Sequence, residues 1–302
     1  MTGMEGTDLD QAEKLRNIIK KSQVADNQKL SAARVFTVTS GKGGVGKSNV
    51  SINLAVQFRK IGKRVVIFDA DFGLANIEVM FGAIPKFSLA DVIYRGKDIK
   101  DVITYGPMDI GFISGGSGVI GMNNLNADSV NFLIRNISKL DELADIIIID
   151  TGAGISENVV QFLLASEEII LITTPEPTSI TDSYSLLKAL KTNVRFNKDA
   201  LTLRVIANKV ESTDEGNQLY KKLSTVVTQY LDIPMSLLGI IPEDNALVQA
   251  VMQQSPVSMT YPNSKSAGAF KDIADTLMEI PHKDRIYRRG MSAFFARIQG
   301  KV

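Results

Sequence analysis

The chain has 302 residues, 44% apolar and 22% charged, which is enough for one sizeable hydrophobic core. Lysine and arginine number 34 against 33 aspartates and glutamates, so no global field draws the chain to nucleic acid or anionic lipid, and any such contact has to be local. The absence of cysteine excludes disulfides, thiolate metal sites and iron–sulfur ligation, and the single histidine, His282, excludes a multi-histidine metal centre and argues against a serine–histidine triad.

In chain order, the opening "MTGMEGTDLDQAEK" is acidic and polar, unlike a secretory signal. Residues 34–39 form a β-branched run that leads straight into a glycine-rich loop. From Lys47 onward Val50, Leu54, Phe58 and Ile61 recur at helical spacing. "KRVVIFDAD" reads as a second strand and "SLADVIYR" as a helix capped by Ser88. Short apolar strands follow at "MDIGFI", "DIIIID", "EEIILITT", "LTLRVIAN" and "LLGIIP", with periodic helices over 128–140, 181–194, 215–230 and 267–278. Apolar strands alternating with helices predict an α/β fold, a doubly wound and mostly parallel sheet covered on both faces. The expected organisation is one domain over residues 34–280, with a leader over 1–33 and a tail over 281–302. No apolar run reaches the roughly 20 residues of a spanning helix, so the expected location is cytoplasmic.

The loop Gly41-Lys42-Gly43-Gly44-Val45-Gly46-Lys47-Ser48 fits the G-x-x-x-x-G-K-[ST] pattern. Its glycines let backbone N–H groups turn inward around phosphates, and the helix that starts there adds its positive end. Lys47 is expected to neutralise the β- and γ-phosphates of a nucleotide, Ser48 to ligate Mg²⁺, and Asn49 to complete the cradle. "FDADFGLAN" places Asp69 and Asp71 at the end of the second strand, two residues apart and so on one side of an extended chain. A carboxylate there can ligate a metal-bound water or orient an attacking one. "IIIIDTGAG" places Asp150 at the end of a buried strand beside glycines, so three stretches converge on one edge of the sheet.

GKGGVGKS, with a lysine directly after its first glycine, resembles the deviant Walker A loop of the MinD/ParA group of P-loop ATPases. The resemblance runs from about residue 34 to 279. It implies Mg-ATP as cofactor, Asp71 as the water-orienting residue and metal neighbour, and a homodimer in which Lys42 reaches the partner's phosphates. A cation supplied from a partner would stabilise the transferred phosphoryl much as an arginine finger does. "DTGAG" is similar to the family's second switch, though that switch more often carries proline where Thr151 or Gly152 stands. "ANKV" would put Asn208 against the adenine ring, and "IPED" would put Pro242 and Glu243 along the base pocket.

Within that family the lack of cysteine removes the iron-protein branch, and no lysine/arginine cluster stands out in the core to bind DNA, so no nucleic acid is expected. In the tail "DRIYRRGMSAFFARIQGKV", Met291, Phe294, Phe295 and Ile298 share a helical face, with Tyr287 beyond the break at Gly290. An aromatic face opposite arginines describes an interfacial helix on an anionic membrane, peripheral on the inner face of the cell membrane. Its alternative is a terminal helix that packs the same stripe on its own core, and docking in the monomer with release in the dimer satisfies both. The leader's "DQAEKLRN" resembles an activator element of the FlhG branch, which sets flagellar number and placement. The resemblance implies that Asp10, Gln11, Ala12, Leu15 and Arg16 contact an FlhF-type GTPase, with flagellar switch-complex proteins as further partners. A division-site MinD ATPase, a DNA-partitioning ATPase and a nonhydrolytic membrane scaffold remain as alternatives.

Overall fold

A computed structural model describes residues 32–71, 76–115, 132, 133, 135–280, 290–298 and 300, all in the unit formed by residues 32–302. The leader positions Asp10, Gln11, Ala12, Leu15 and Arg16, and also Tyr287, lie outside the described residues. Eight strands build one sheet: β1 (Arg34–Ser40), β2 (Val65–Ala70), β3 (Thr104–Tyr105), β4 (Gly111–Ser114), β5 (Ile146–Ala153), β6 (Glu168–Thr173), β7 (Thr202–Val210) and β8 (Met235–Pro242). Their order is β3-β4-β2-β5-β1-β6-β7-β8, and every pairing is parallel except that of β3 with β4. The helices that bear on the site are α1 (Lys47–Lys60), α2 (Glu157–Ala165), α3 (Pro177–Thr192), α4 (Thr213–Leu231), α5 (Lys265–Glu279) and α6 (Gly290–Ile298).

The expected doubly wound α/β fold is what these strands and helices form. β2 and β6 are buried at every position, because helices cover both faces. Side chains still alternate. Phe36, Val38, Ile67, Ile146 and Ile148 join the core packed by α1 and α5, while Val66, Phe68, Ile147 and Ile149 join the opposite core with α6. Ile169, Leu171, Leu203 and Val205 face α3 and α4.

Two details depart from the sequence expectations. Ile61 is not on the buried face of α1; it is the C-cap, 46% exposed, because Gly62 (φ 81°) turns the chain out of the helix. The helix expected over 181–194 starts earlier, since Pro177 at its first position has a backbone already set for helix.

In the tail, the docked arrangement that the sequence left open is the one seen. Met291, Phe294 and Phe295, read as a membrane face, are buried at 2% exposure or less, and Ile298 is half-buried. Phe295 meets Phe68 edge-on at 5.9 Å and Phe294 stacks on Phe162 at 5.7 Å. Asp141 caps the helix from outside, accepting the Met291 N–H at 2.9 Å. Gly290 is obligatory there: its φ is 77°, and a Cβ would lie 2.2 Å from the Asp141 carboxylate. The arginine of this helix, Arg297, pairs with Glu167. The stripe of α6 therefore packs on the protein's own core in this structure.

At the opposite end of the sheet from the glycine loop, Arg34 and Arg204 share Glu168. The Arg34 guanidinium donates to both Glu168 oxygens at 2.6 and 2.8 Å, and Arg204 donates at 2.6 Å. Arg34 also donates to the Leu277 carbonyl at 2.6 Å, tying β1 to the end of α5. Burial opposes charge on Glu168, but the two arginines outweigh it and hold the carboxyl below its usual range. Glu168→Gln leaves the buried Arg204 and the part-buried Arg34 without their carboxylate, so urea unfolding should show a loss of about 3 kcal/mol. Asp275→Ala, which removes only an exposed i,i+4 partner of Lys271, should change stability by less than about 0.5 kcal/mol.

Candidate functional site

The parallel strands end together, and β1, β2, β5, β7 and β8 deliver the site residues to one edge of the sheet. β1 runs into the glycine loop, where Gly44 and Gly46 take φ values of 76° and 97°. Gly41 has its own reason to be glycine: a Cβ there would lie 2.2 Å from the Asp182 backbone of α3. The 14-residue helix α1 begins with Gly46 as N-cap and no side-chain cap, so its first N–H groups are left for an outside acceptor.

Lys47 is 8% exposed, and burial pulls its pKa down against the attraction of Asp150 and Asp71. Asp150 is fully buried. It accepts Ser48 Oγ at 2.7 Å and Ser51 Oγ at 2.9 Å, and burial pushes its carboxyl up to about 6 in spite of both bonds. Ser51 was missed by sequence reasoning; its spacing from Ser48, i to i+3 on one helix, is the signal that finds it. Asp69 stands in register with Asp150 on the neighbouring strand, and burial together with the Asp150 charge pushes it up to about 8. Asp71 donates its backbone N–H to Asp69 at 3.0 Å and lies against Gly152 of the second loop. Thr151 donates to the Val38 carbonyl at 3.1 Å, which ties this stretch to β1.

The donor set fits a nucleotide with a divalent cation. Ser48 donates its hydroxyl hydrogen bond to Asp150, which leaves the lone pairs of Oγ available to a metal. Asp150 and Asp71 act on one buried lysine, Lys47, and Asp69 stands beside both acids. Among the described residues no group of three or more His, Cys, Asp or Glu side chains could hold a metal by itself. Mg²⁺ takes few protein ligands and completes its shell with phosphate oxygens and water, so the Ser48 hydroxyl beside Asp150 is a fitting protein donor for it.

Asn208, expected on an adenine ring, is 2% exposed and donates its amide to the Val45 carbonyl at 2.7 Å. Its Oδ1 is buried with no partner among the described residues. Pro242 ends β8 and lines a cleft of about 560 Å³ with Val210, Ser264 and Gly268, whereas Glu243 is exposed and bonded through its backbone N–H to the Val210 carbonyl. Asn49 lies in the first turn of α1, its Oδ1 likewise buried and unpartnered. Lys42, at the rim, is bound within its own chain to the Glu176 carboxylate and to Thr178 Oγ1 at 2.8 Å. Lys209, in the left-handed conformation (φ 57°), donates to the Gly44 carbonyl at 2.9 Å. No sequence pattern singled out Glu176, Thr178 or Lys209; the signal was their position at the ends of β6 and β7, the same sheet edge.

A model of the CobQ/CobB/MinD/ParA nucleotide binding domain matches residues 36–257. The antiactivator FleN of Pseudomonas aeruginosa is 40% identical over 248 residues, covering 82% of this chain and 87% of FleN. The flagellum site-determining protein YlxH of Helicobacter pylori is 32% identical over 294 residues, covering 94% of this chain and 95% of YlxH. Among solved structures, the cell division ATPase MinD of Pyrococcus furiosus superimposes with a TM-score of 0.64 at 26% identity, over 82% of this chain and all of that one. MinD of Pyrococcus horikoshii, complexed with Mg-ADP, gives 0.62 at 26% identity, over 82% of this chain and 96% of its own.

Gly41→Ala forces the loop away from α3 and should weaken ADP binding more than about tenfold, a loss of some 1.4 kcal/mol, by titration calorimetry. Gly43→Ala, whose Cβ would meet only the Ala153 Cβ at 3.9 Å, should stay within about threefold of wild type.

Proposed function

The chain belongs to the CobQ/CobB/MinD/ParA family as a MinD/ParA-type ATPase related to FleN and YlxH, and on that premise we propose that it regulates flagellar number and placement by dimerising and binding membrane with ATP. The observation that carries the nucleotide reading is the bond from Ser48 to the buried Asp150, beside Lys47 and an uncapped helix start. The flagellar reading is supported by the 40% identity with FleN.

In this reading Lys47 and the backbone N–H groups of residues 43–48 hold the β- and γ-phosphates, and Ser48 holds the metal through its hydroxyl. Bound Mg²⁺ would supply positive charge to the phosphate oxygens as charge develops on them. Asp71 accepts a proton-bearing hydrogen bond from the attacking water and so orients it, while Asp150 fixes Ser48. Lys42 of a second copy stabilises charge on the transferred phosphoryl. Asn208 Oδ1 suits an exocyclic amino group such as that of adenine, because it is a buried acceptor lacking a donor. Pro242 and Glu243 flank the base.

The tail supports a sheltered form of membrane helix. Docked on Phe68 and Phe162, the face of Met291, Phe294, Phe295 and Ile298 is hidden, and release on ATP-dependent pairing would present two copies to an anionic bilayer. Among the described residues no helix is long and apolar enough to cross a membrane. The leader, with Asp10, Gln11, Ala12, Leu15 and Arg16, would contact an FlhF-type GTPase. Gln11 would bring its amide near a catalytic water, and switch-complex proteins are further partners of the flagellar role.

Sedimentation and liposome flotation test this reading. Wild type and Asp71→Ala should dimerise and float only with ATP, with Asp71→Ala losing about a hundredfold or more in ATP turnover. Lys42→Ala should stay monomeric and unbound; if it pairs and floats like wild type, the trans role is wrong. Gly290→Ala, which drives a Cβ into Asp141, should float several-fold more than wild type with ADP. Dependence of a cognate FlhF-type GTPase rate on a peptide of residues 1–31 tests the leader, and an unchanged rate rejects it.

A further inference from the structure

Lys42 is held in this chain by two groups on rigid supports. Its own backbone is fixed, because Ser40 Oγ donates to the Lys42 carbonyl at 2.7 Å and Gly41 abuts α3 too closely for a Cβ. Only the side chain is left to move. Glu176 is the N-cap residue of α3, followed by Pro177 at the first helical position, and its carbonyl accepts the Ser179 and Ile180 N–H groups at 2.9 and 3.3 Å. Thr178 sits in the same turn. The ammonium of Lys42 thus meets a carboxylate and a hydroxyl whose backbone is set by the helix start.

An ammonium satisfied in this way is not available to a second copy. To reach another protomer's phosphates it has to leave both Glu176 and Thr178. We propose that Glu176, assisted by Thr178, is a positioning residue that parks Lys42 in the isolated chain and so sets the threshold at which two ATP-loaded copies pair. The inference rests on the reading of Lys42 as a trans contact. The pair is part-exposed, with side-chain exposures of 35% for Lys42 and 58% for Glu176, which keeps the latch weak enough to open. Lys209, anchored on the Gly44 carbonyl, contributes positive field at Glu176 after Lys42, so the carboxylate is not stranded when Lys42 leaves.

The test uses the full chain. Acetylation of Lys42, followed by mass spectrometry on the ADP-loaded protein, reads the latch without any need for pairing. Glu176→Gln should raise the Lys42 rate about threefold, and Thr178→Val by less. Sedimentation with ATP, in an Asp71→Ala background to retain the nucleotide, reads the threshold. Two latches open per dimer, so Glu176→Gln should lower the half-pairing concentration roughly tenfold, at about threefold for each latch. The acetylation rate of Lys271, which pairs with Asp275 on α5, should be unchanged by Glu176→Gln, which separates the latch from a general change in lysine reactivity. An unchanged Lys42 acetylation rate, or pairing of Glu176→Gln at the wild-type concentration or above it, overturns the latch. A chain without Glu176→Gln that stays monomeric in ATP, or a Lys42→Ala chain that pairs normally, overturns instead the pairing reading on which the latch depends.

Discussion

A fully buried carboxylate at the end of the central strand is the constraint around which the site is arranged. Asp150 has no exposed surface and lies beside a second buried acid, Asp69, on the neighbouring strand. Placing two acids there costs free energy unless partners compensate, and the partners found are the ones a P-loop supplies. Ser48 and Ser51, one turn apart on α1, both donate to Asp150, and Lys47 adds the opposite charge. The first turn of α1 is therefore pinned to β5, and the glycine loop before it has both ends fixed. Its N–H groups are pre-set toward an anion instead of having to be ordered when one arrives.

Much of this was legible in the sequence, for identifiable reasons. Continuous apolar runs such as "IIIID" have few uses other than strands buried on both faces, so the parallel sheet and its ligand edge followed from them. The glycines and Lys47 are demanded by backbone geometry and phosphate charge, and they read directly. The partners of these groups did not read. Ser51 is an ordinary helix serine until Asp150 lies beside it. Glu176 is separated from Lys42 by 134 positions, and only the register of β1 beside β6 brings them together. Local pattern encodes which elements form; it does not encode which side chains two crossovers will juxtapose.

The tail marks a different limit. An amphipathic stripe states that a face avoids water, and both lipid and protein core satisfy that. What selects the core in this structure is specific rather than hydrophobic: the Asp141 cap, the left-handed Gly290 and the ring geometry of Phe294 and Phe295 against Phe162 and Phe68. If the same face is to meet lipid as proposed, the balance turns on a small number of polar and steric contacts at one end of a nine-residue helix.

Those contacts are joined to the nucleotide edge through covalent structure. Phe68 immediately precedes Asp69 on β2, and Phe162 belongs to α2, which starts shortly after the end of β5 and is capped by Ser156. Phe68, Phe162, Phe294 and Phe295 form one connected set of ring contacts at 5.6 to 6.3 Å. Close-packed rings of this kind do not deform gradually; a displacement of α2 either leaves the stack intact or breaks it. The loops that would touch a γ-phosphate are thus continuous with the elements that hold the tail. On the same edge Lys42 rests on α3, whose first turn is set by Pro177. Both elements that would have to move for pairing and for membrane contact, the lysine and the aromatic helix, are held in the isolated chain by helices that begin at the nucleotide edge. A single rearrangement there is in a position to free both.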